Sequence, residues 1–385
     1  MTTSTLDILA ALVAFDTTSH KSNLDCIGWI EAYLARCGVA CERFPDASGQ
    51  KASLFATIGP ASDQGYILSG HTDVVPVDGQ AWSSDPFELR VADGRAYGRG
   101  ALDMKGFVAC VLAAVPEMAA RPLSAPLHLA FSYDEEIGCV GVVPMLDQLA
   151  ARGFKAAGAF IGEPTSMGVV VGHKGKTAMR AHVRGFASHS SLAPQGVNAV
   201  EFGARFVAHI QSIGAELARS GARDEAFDVP FSTFITGVMQ GGVAVNVIPH
   251  ECRIDFETRV IACDDRFALV ERARRFAREV LEPEMQAVRP DTGFDFEVIS
   301  DMPTLETPPD AAVATLAMRL VGSNRWSKVA FGTEASHFSS ILGTPSVVVG
   351  PGSIEQAHKP DEFIELSQLA ACEAFVGRLI ETARG

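Results

Sequence analysis

The sequence predicts an α/β protein into which a second, smaller α+β domain is inserted. Two observations lead to this fold class. In the first and last parts of the 385-residue chain, short continuous apolar runs alternate with helical stretches, and such runs are typical of strands covered on both faces. In the middle of the chain, polar and apolar residues alternate within the runs instead, which is typical of antiparallel strands with one exposed face.

The predicted α/β domain consists of four buried strands and the helices between them. The strands are expected at residues 66–70, 127–133, 159–162 and 346–350. Helices are expected at residues 6–15, 26–37, 105–120, 143–152 and 311–321. Ser4 and Asp7 form the pattern of a capping box before the first helix. This alternation predicts a central, mostly parallel sheet between layers of helices.

The middle of the chain predicts a separate sandwich. Strands are expected at residues 176–184, 251–260 and 294–299, and amphipathic helices at 197–220 and 264–281. The order β-α-β-β-α-β is that of a ferredoxin-like, open-faced sandwich. We therefore expect a discontinuous first domain, residues 1–175 and 301–385, with residues 176–300 inserted into it.

Composition and charge exclude several classes of protein. Lys plus Arg is 32 and Asp plus Glu is 46, and a net charge of −14 argues against a nucleic-acid partner. No apolar run approaches the roughly 20 residues of a membrane span. A signal peptide requires a basic N-terminal region, and the first Lys or Arg of this sequence is Lys21. Eight cysteines without a C-x-x-C pair are typical of reduced thiols. We expect a cytoplasmic protein that binds neither nucleic acid nor membranes.

Polar side chains follow each of the four predicted buried strands. Because the carboxyl ends of parallel strands meet at one sheet edge, where ligands bind in open α/β sheets, these residues are expected to lie together. Each motif alone is also typical of a turn, a helix cap or the end of a strand, so it is their combination that indicates a site. The candidates are His71 and Asp73, the run Asp134-Glu135-Glu136, Glu163, His358, and Asp103 just before the helix at residue 105.

Clustered carboxylates repel one another unless cations neutralise them. His71 and His358 would be neutral ligands, and Asp103, Glu136 and Glu163 would supply three negative charges. Two divalent cations and a bridging hydroxide would bring that set to zero. Mixed imidazole and carboxylate ligands suit Zn²⁺, with Mn²⁺ or Co²⁺ as alternatives. Asp73 is the expected partner of the second ring nitrogen of His71.

Six stretches, in this order along the chain, resemble the M20 metallopeptidase family of dinuclear zinc aminoacylases and deacetylases. They are Ser69-Gly70-His71-Thr72-Asp73-Val74-Val75-Pro76, the segment from Trp82 to Pro86-Phe87, Tyr97-Gly98-Arg99-Gly100-Ala101-Leu102-Asp103-Met104-Lys105-Gly106, Asp134-Glu135-Glu136, Gly162-Glu163-Pro164 and His358-Lys359-Pro360-Asp361-Glu362-Phe363. The resemblance implies that the middle domain is a lid through which two chains form a homodimer. It also implies a cis peptide bond between Asp103 and Met104.

The same resemblance implies a role for each site residue. One metal would be bound by His71 and Glu163, the other by Glu136 and His358, with Asp103 bridging them. Glu135 would be the general base, and His189, in the lid, would polarise the scissile carbonyl in the active site of the partner subunit. The residues implied for substrate binding are Lys174, Asn246, Arg259, Gly332 and Thr333.

Within the family, two further stretches resemble the acetylornithine deacetylases. They are Phe331-Gly332-Thr333-Glu334-Ala335 and the run from Gly350-Pro351-Gly352 to His358. The implied reaction converts N2-acetyl-L-ornithine to L-ornithine and acetate, a step of arginine biosynthesis. A succinyl-diaminopimelate desuccinylase, another aminoacylase or a dipeptidase would use the same chemistry. A metal-free binding protein is disfavoured because every ligand is present, and a dinucleotide-dependent oxidoreductase because Asp103 stands where G-x-G-x-x-G requires its third glycine.

Overall fold

A computed structural model describes residues 3–385 of the chain. Within that range the helices are α1 (Thr5–Val13), α2 (Leu24–Arg36), α3 (Lys105–Ala120), α4 (Val143–Ala151), α5 (Ala199–Ser220), α6 (Arg266–Phe276), α7 (Glu282–Val288), α8 (Ala312–Val321), α9 (Ala335–Leu342) and α10 (Leu366–Arg384). The strands are β1 (Cys41–Pro45), β2 (Ala52–Ile58), β3 (Tyr66–His71), β4 (Arg90–Ala92), β5 (Arg95–Tyr97), β6 (Leu127–Ser132), β7 (Gly158–Ile161), β8 (Val169–His173), β9 (Gly175–Arg184), β10 (Thr233–Gly241), β11 (Glu251–Val260), β12 (Gly293–Met302), β13 (Leu305–Glu306), β14 (Trp326–Val329), β15 (Ser346–Val348) and β16 (Phe363–Glu365). None of the helices in this range is long and apolar enough to cross a membrane.

The chain folds into two compact units, each with its own hydrophobic core. Unit 1 consists of Met1–Gly172, Leu305–Lys328 and Thr333–Gly385, and unit 2 consists of His173–Thr304 and Val329–Gly332. The domain limits expected from the sequence, 175/176 and 300/301, remain a prediction, because a compact unit is not by itself an independently folding domain.

A nine-stranded sheet runs through unit 1 in the order β1-β2-β6-β3-β7-β15-β8-β13, with β14 paired to β8. Its central strands β6, β3, β7 and β15 are parallel. The flanking pairs β1–β2, β2–β6 and β8–β15 are antiparallel. The α/β fold is therefore confirmed, but the sheet is mixed and not mostly parallel. The antiparallel pairs lie on the two sides of the four parallel strands, where the β1–β2 hairpin joins β6 and where β8 joins β15.

Helix α3 is the central helix of unit 1 and fixes the position of the residues before it. It packs against α1, α10 and β3, and most of its side chains are buried. Burial of a side chain such as Phe107 contributes about 1.5–3 kcal/mol, so the helix is held firmly. Contact with the sheet is close, because a Cβ on Gly162 would lie only 2.0 Å from the Phe107 ring. The expected capping box of Ser4 and Asp7 at the start of α1 is also confirmed.

Unit 2 is a four-stranded antiparallel sheet covered by helices on one face. The strand order is β10-β11-β9-β12, and every neighbouring pair is antiparallel. Helices α5 and α6 pack on β9 and β11, and Phe206 of α5 contacts Phe256 of β11 edge to face. The chain order β9-α5-β10-β11-α6-β12 confirms the expected ferredoxin-like arrangement.

Candidate metal centre

The predicted ligands meet at one edge of the unit 1 sheet, because the central strands are parallel and adjacent. His71 is the last residue of β3, and Ser132, its partner in the register, is the last of β6 and is followed by Asp134-Glu135-Glu136. Glu163 follows β7, and His358 lies in the loop after β15. Asp103 reaches the same edge from the turn before α3.

His71 and two carboxylates form the first group of ligand atoms. The Nε2 atom of His71 is 3.1 Å from Asp103 Oδ1 and 3.7 Å from Glu163 Oε1. All three side chains are buried, and Glu163 Oε1 has no hydrogen-bond partner among residues 3–385. A buried carboxylate oxygen without a partner is costly unless a cation neutralises it. This group therefore fits a metal ion.

His358 forms a second group around the other oxygen of Asp103. Its Nε2 atom is 3.2 Å from Asp103 Oδ2 and 3.1 Å from Glu136 Oε2. Asp103 thus offers one oxygen to each histidine, as a bridging carboxylate must. Ligands about 2.0–2.2 Å from a tetrahedral zinc ion lie roughly 3.4 Å from one another, and the ligand-atom distances in both groups are 3.1–3.7 Å.

The backbone is unusual at Asp103 and at His358. The Asp103–Met104 peptide bond is cis, as the family resemblance implied. His358 adopts φ 63°, in the left-handed region that non-glycine residues rarely occupy. Its imidazole is half exposed, whereas the Asp103 side chain is buried. Solvent therefore reaches the second group from the side of His358.

Asp73 links His71 to the two consecutive glutamates. The Nδ1 atom of His71 is 2.9 Å from the Asp73 carbonyl oxygen and 3.4 Å from Asp73 Oδ1. The Asp73 carboxylate also accepts hydrogen bonds from the backbone N–H groups of Glu135 (3.1 Å) and Glu136 (3.3 Å). The expected partner of His71 is in position, although the carbonyl is the nearer acceptor.

The electrostatics of the cluster favour bound cations. Burial, together with repulsion from Glu136, raises the pKa of Glu135 to about 8, and burial with repulsion from Asp103 raises the pKa of Glu136 to about 7. Burial and the charge of Glu135 raise the pKa of Glu163 well above its usual range. Hydrogen bonds that the His358 ring donates to the Asp103 and Glu136 carboxylates raise the pKa of His358 to about 10. Positive charge at this edge would relieve the repulsion and let the carboxylates ionise.

A carboxylate oxygen of Glu135 is also close enough to other ligand atoms to share an ion with them. One group of atoms within 4.8 Å of one another is His71, Glu135 and Glu163, and the other is His71, Asp103 and Glu136. Glu135, named as the base, therefore lies within ligand distance of two of the residues named as ligands, His71 and Glu163. Which of the two consecutive glutamates is the base stays a prediction.

The predicted substrate-binding residues are distributed over both units. His189 and Asn246 are both exposed residues of unit 2. Their segments are neighbours, since the N–H group of Ser190 donates to the Asn246 carbonyl oxygen (3.0 Å). Lys174 and Arg259 are also in unit 2, where burial and the Arg259 charge lower the pKa of Lys174.

The last two predicted substrate residues are consecutive but belong to different units. Gly332 is in unit 2, and a Cβ at this position would lie 1.6 Å from Met302 Cε. Thr333 is buried in unit 1 just before α9, and its Oγ1 atom accepts from Ala335 N (3.2 Å).

The sequence did not assign roles to several residues that hold the site. Glu362 and Arg99 form a buried ion pair (2.6 Å), and the other Glu362 oxygen accepts from the backbone N–H of Asp103 (3.1 Å). Cys139 donates to Glu135 Oε1 (3.1 Å). Both Glu362 and Arg99 lie within motifs that carried the family resemblance, and this was the available signal for them.

Comparison with known proteins identifies the relatives of the chain. The family model "Peptidase family M20/M25/M40" matches residues 67–382. An acetylornithine deacetylase of Myxococcus xanthus is 34% identical over 383 residues, covering 97% of this chain and 95% of that protein. The fold is similar to an M20 family metallo-carboxypeptidase of Sulfolobus solfataricus (TM-score 0.78, 16% identity, 98% and 99% of the two chains). It is also similar to a dinuclear metal-binding M20 peptidase of Bacillus subtilis (TM-score 0.69, 15% identity, 99% and 97%).

Proposed function

The chain belongs to peptidase family M20/M25/M40 and is a hydrolase of amide bonds, and we propose that its substrate is an N-acyl amino acid, first of all N2-acetyl-L-ornithine. The observation that carries this proposal is the 34% identity to an acetylornithine deacetylase over nearly the full length of both chains. The products would be L-ornithine and acetate, in a cytoplasmic step of arginine biosynthesis. A dipeptidase or a succinyl-diaminopimelate desuccinylase is the competing assignment.

The family is metal-dependent, and we propose two divalent cations, zinc first, as the cofactor. His71 and Glu163 would hold one ion and Glu136 and His358 the other, with Asp103 shared by both. When bound, such a pair supplies Lewis-acid activation of water and of a carbonyl oxygen. Chelation should abolish activity, and Zn²⁺ or Co²⁺ should restore it. Full activity in a rigorously metal-free sample would contradict the proposal.

In this mechanism the chain's own residues move the proton and orient the ligands. The Glu135 carboxylate takes a proton from the attacking water and then delivers it to the leaving amine nitrogen. Asp73 orients the His71 ring through Nδ1 and holds the backbone before Glu135 and Glu136, which supports a fixed position for the base. Burial of Glu135 suits a group that must hold a proton near neutral pH.

Most of the residues proposed to contact the substrate belong to unit 2. We propose that Arg259 binds the α-carboxylate as a bidentate partner, with Lys174, Asn246, Gly332 and Thr333 completing the binding surface. His189 would donate to the oxyanion, a type of contact often worth about 3 kcal/mol. A homodimer formed through unit 2 would let His189 act on the partner's centre.

A panel of substrates tests the assignment directly. Release of free amine would be measured for acetylornithine, succinyl-diaminopimelate, several acetylated amino acids and a dipeptide, under identical metal loading. We expect the highest kcat/KM with acetylornithine. Preference for the succinylated substrate or for the dipeptide would replace the proposed substrate but retain the chemistry, and no hydrolysis of any of them would reject the proposal.

A further inference from the structure

The loop after β6 holds a thiol against the carboxylate of Glu135. The Sγ–H group of Cys139 donates to Glu135 Oε1, and the two heavy atoms are 3.1 Å apart. Cys139 is only 3% exposed, so bulk water does not readily replace this contact. The two residues are separated by one tight turn, and the contact is therefore set by the backbone of that turn.

The backbone of this turn is arranged around Glu135. The N–H groups of Gly138 (2.9 Å) and Cys139 (2.8 Å) both donate to the Glu135 carbonyl oxygen. Cys139 adopts φ 57°, in the left-handed region. A non-glycine residue there costs on the order of 1–3 kcal/mol, although glycine would adopt this conformation freely. The contact between the Cys139 thiol and the Glu135 carboxylate explains why a residue with a side chain, and not glycine, occupies this left-handed position.

We infer that Cys139 is a positioning residue for the general base, an inference that rests on the proposed role of Glu135. The thiol occupies Oε1 and so fixes the rotation of the carboxylate, which makes Oε2 the oxygen that takes and returns the proton. A thiol is a weak donor, and it orients the carboxylate without pairing it with a positive charge. A lysine or arginine here would neutralise the base.

Cys139→Gly separates this role from a purely structural one. Glycine removes the thiol and also relieves the left-handed backbone, which offsets the loss of a buried side chain, so the melting temperature should change little. We expect kcat to fall about tenfold, because the carboxylate loses its fixed orientation, while KM changes less than about twofold and the metal content is unchanged. A residue that only stabilised the loop would give no loss of kcat in this variant.

Two further variants serve as controls. Cys139→Ser retains a donor and should recover kcat to within about threefold of the unaltered enzyme. Cys26→Ala removes another buried thiol of unit 1, located on α2, and should lower stability without changing kcat. If Cys139→Gly were as active as the unaltered enzyme, or if Cys139→Ser were no better than Cys139→Gly, the inference would be wrong.

A spectroscopic measurement distinguishes failure of this inference from failure of the proposed function. The infrared S–H band of Cys139, obtained as the difference between the unaltered protein and Cys139→Gly, should lie below that of Cys26. Replacing Glu135 with alanine should shift it upward, because its acceptor is lost. This readout needs no turnover, so a band unmoved by Glu135→Ala overturns the contact even if none of the proposed substrates is hydrolysed.

Discussion

Glu135 and Glu136 are consecutive carboxylates with different surroundings. The Glu136 carboxylate faces the His358 ring (3.1 Å), whereas Glu135 Oε1 accepts from a thiol. We therefore expect Glu135→Gln to retain both metal ions and to lower kcat by at least about 10², because the proton carrier is lost. Glu136→Gln should instead lose metal, which would be measured by elemental analysis of the purified variants.

The two variants control each other, since each removes one negative charge from the same loop. Glu135 also lies within ligand distance of His71 and Glu163, and the comparison decides between the two roles. Equal metal loss in both variants would mean that Glu135 is a ligand. Metal loss in Glu135→Gln alone would reverse the assignment.

His128 on β6 is a buried histidine away from the metal ligands, and it should make stability depend on pH. Its ring stacks on Phe55 and meets Phe154 edge to face, its Nδ1 pairs with Thr57 Oγ1, and its Nε2 has no hydrogen-bond partner within the described range. Burial lowers the pKa of His128 to about 4. An unfolded histidine has a pKa of about 6.5. The fold therefore disfavours protonation of this ring.

The unfolded chain binds more protons between pH 6.5 and 4, so stability should fall as the pH falls through that window. Lowering the pKa of His128 by this amount corresponds to a change of about 3 kcal/mol at most in the free energy of unfolding. Compared with His128→Phe, the unaltered protein should lose unfolding free energy between pH 7 and pH 4.5, as measured by urea denaturation at matched metal loading. Parallel pH profiles for the two proteins would show that His128 does not titrate in this way.

At the scale of elements, one buried ion pair joins the turn before α3 to the segment that enters β16. Arg99 Nη1 is 2.6 Å from Glu362 Oε2, and both side chains are 1% exposed. Glu362 Oε1 accepts from the N–H groups of Leu102 (2.9 Å) and Asp103 (3.1 Å). The pair therefore holds the backbone of Asp103, the proposed bridging ligand.

Removing one partner of this pair should cost much more than removing both. Glu362→Gln leaves the Arg99 charge buried and unpaired, which typically costs about 3–5 kcal/mol, and should weaken metal affinity about 10- to 100-fold. Adding Arg99→Met to it should recover part of the stability. Urea denaturation and metal titration of the single and double variants test this, and strictly additive losses would rule out the coupling.

The secondary structure was predictable where one periodicity governed a segment. The central strands β3, β6, β7 and β15 were recognised because both of their faces are apolar. The strand before β11 was expected from the β-α-β-β-α-β order but not located, because β10 contains a bulge between Thr236 and Val238, and a bulge interrupts alternation. The helix predicted to end at residue 281 continues through a π-helical turn into α7. Pro283 lies in the first turn of α7, where a proline, which has no N–H group to donate, is tolerated.

The candidate site was predictable only as far as the chain marks it with residue type and strand position. The carboxylates and histidines at the strand ends could be grouped because parallel strands share an edge. The contacts of Cys139 and Glu362 depend on a left-handed backbone and on an ion pair between distant segments. Neither a left-handed residue nor an ion pair between distant segments produces a periodic pattern in the sequence. Only the structure therefore shows which atoms are in contact.

At the scale of the whole molecule, the proposed catalytic residues belong to two units. The five proposed metal ligands and Glu135 are in unit 1, whereas His189 is in unit 2, exposed between β9 and the 3₁₀ turn Ser190–Gln195. The Nδ1 atom of His189 is 2.8 Å from Ser191 Oγ, so the ring has a preferred orientation within its loop. The proposal that His189 acts on the partner's centre can be tested with mixed dimers.

Two inactive variants should restore activity when their subunits exchange. His189→Ala should retain metal and lose kcat, while Glu136→Ala should retain the histidine and lose metal. In an equimolar mixture half of the dimers are mixed, and each mixed dimer has one complete site if His189 acts in trans. Activity should then recover to roughly a quarter of that of the unaltered enzyme. Subunit exchange would be verified with two differently tagged chains, and a mixture of His189→Ala with Glu163→Ala provides an independent repeat. A mixture that exchanges fully but stays inactive would mean that His189 serves its own chain or has no part in catalysis.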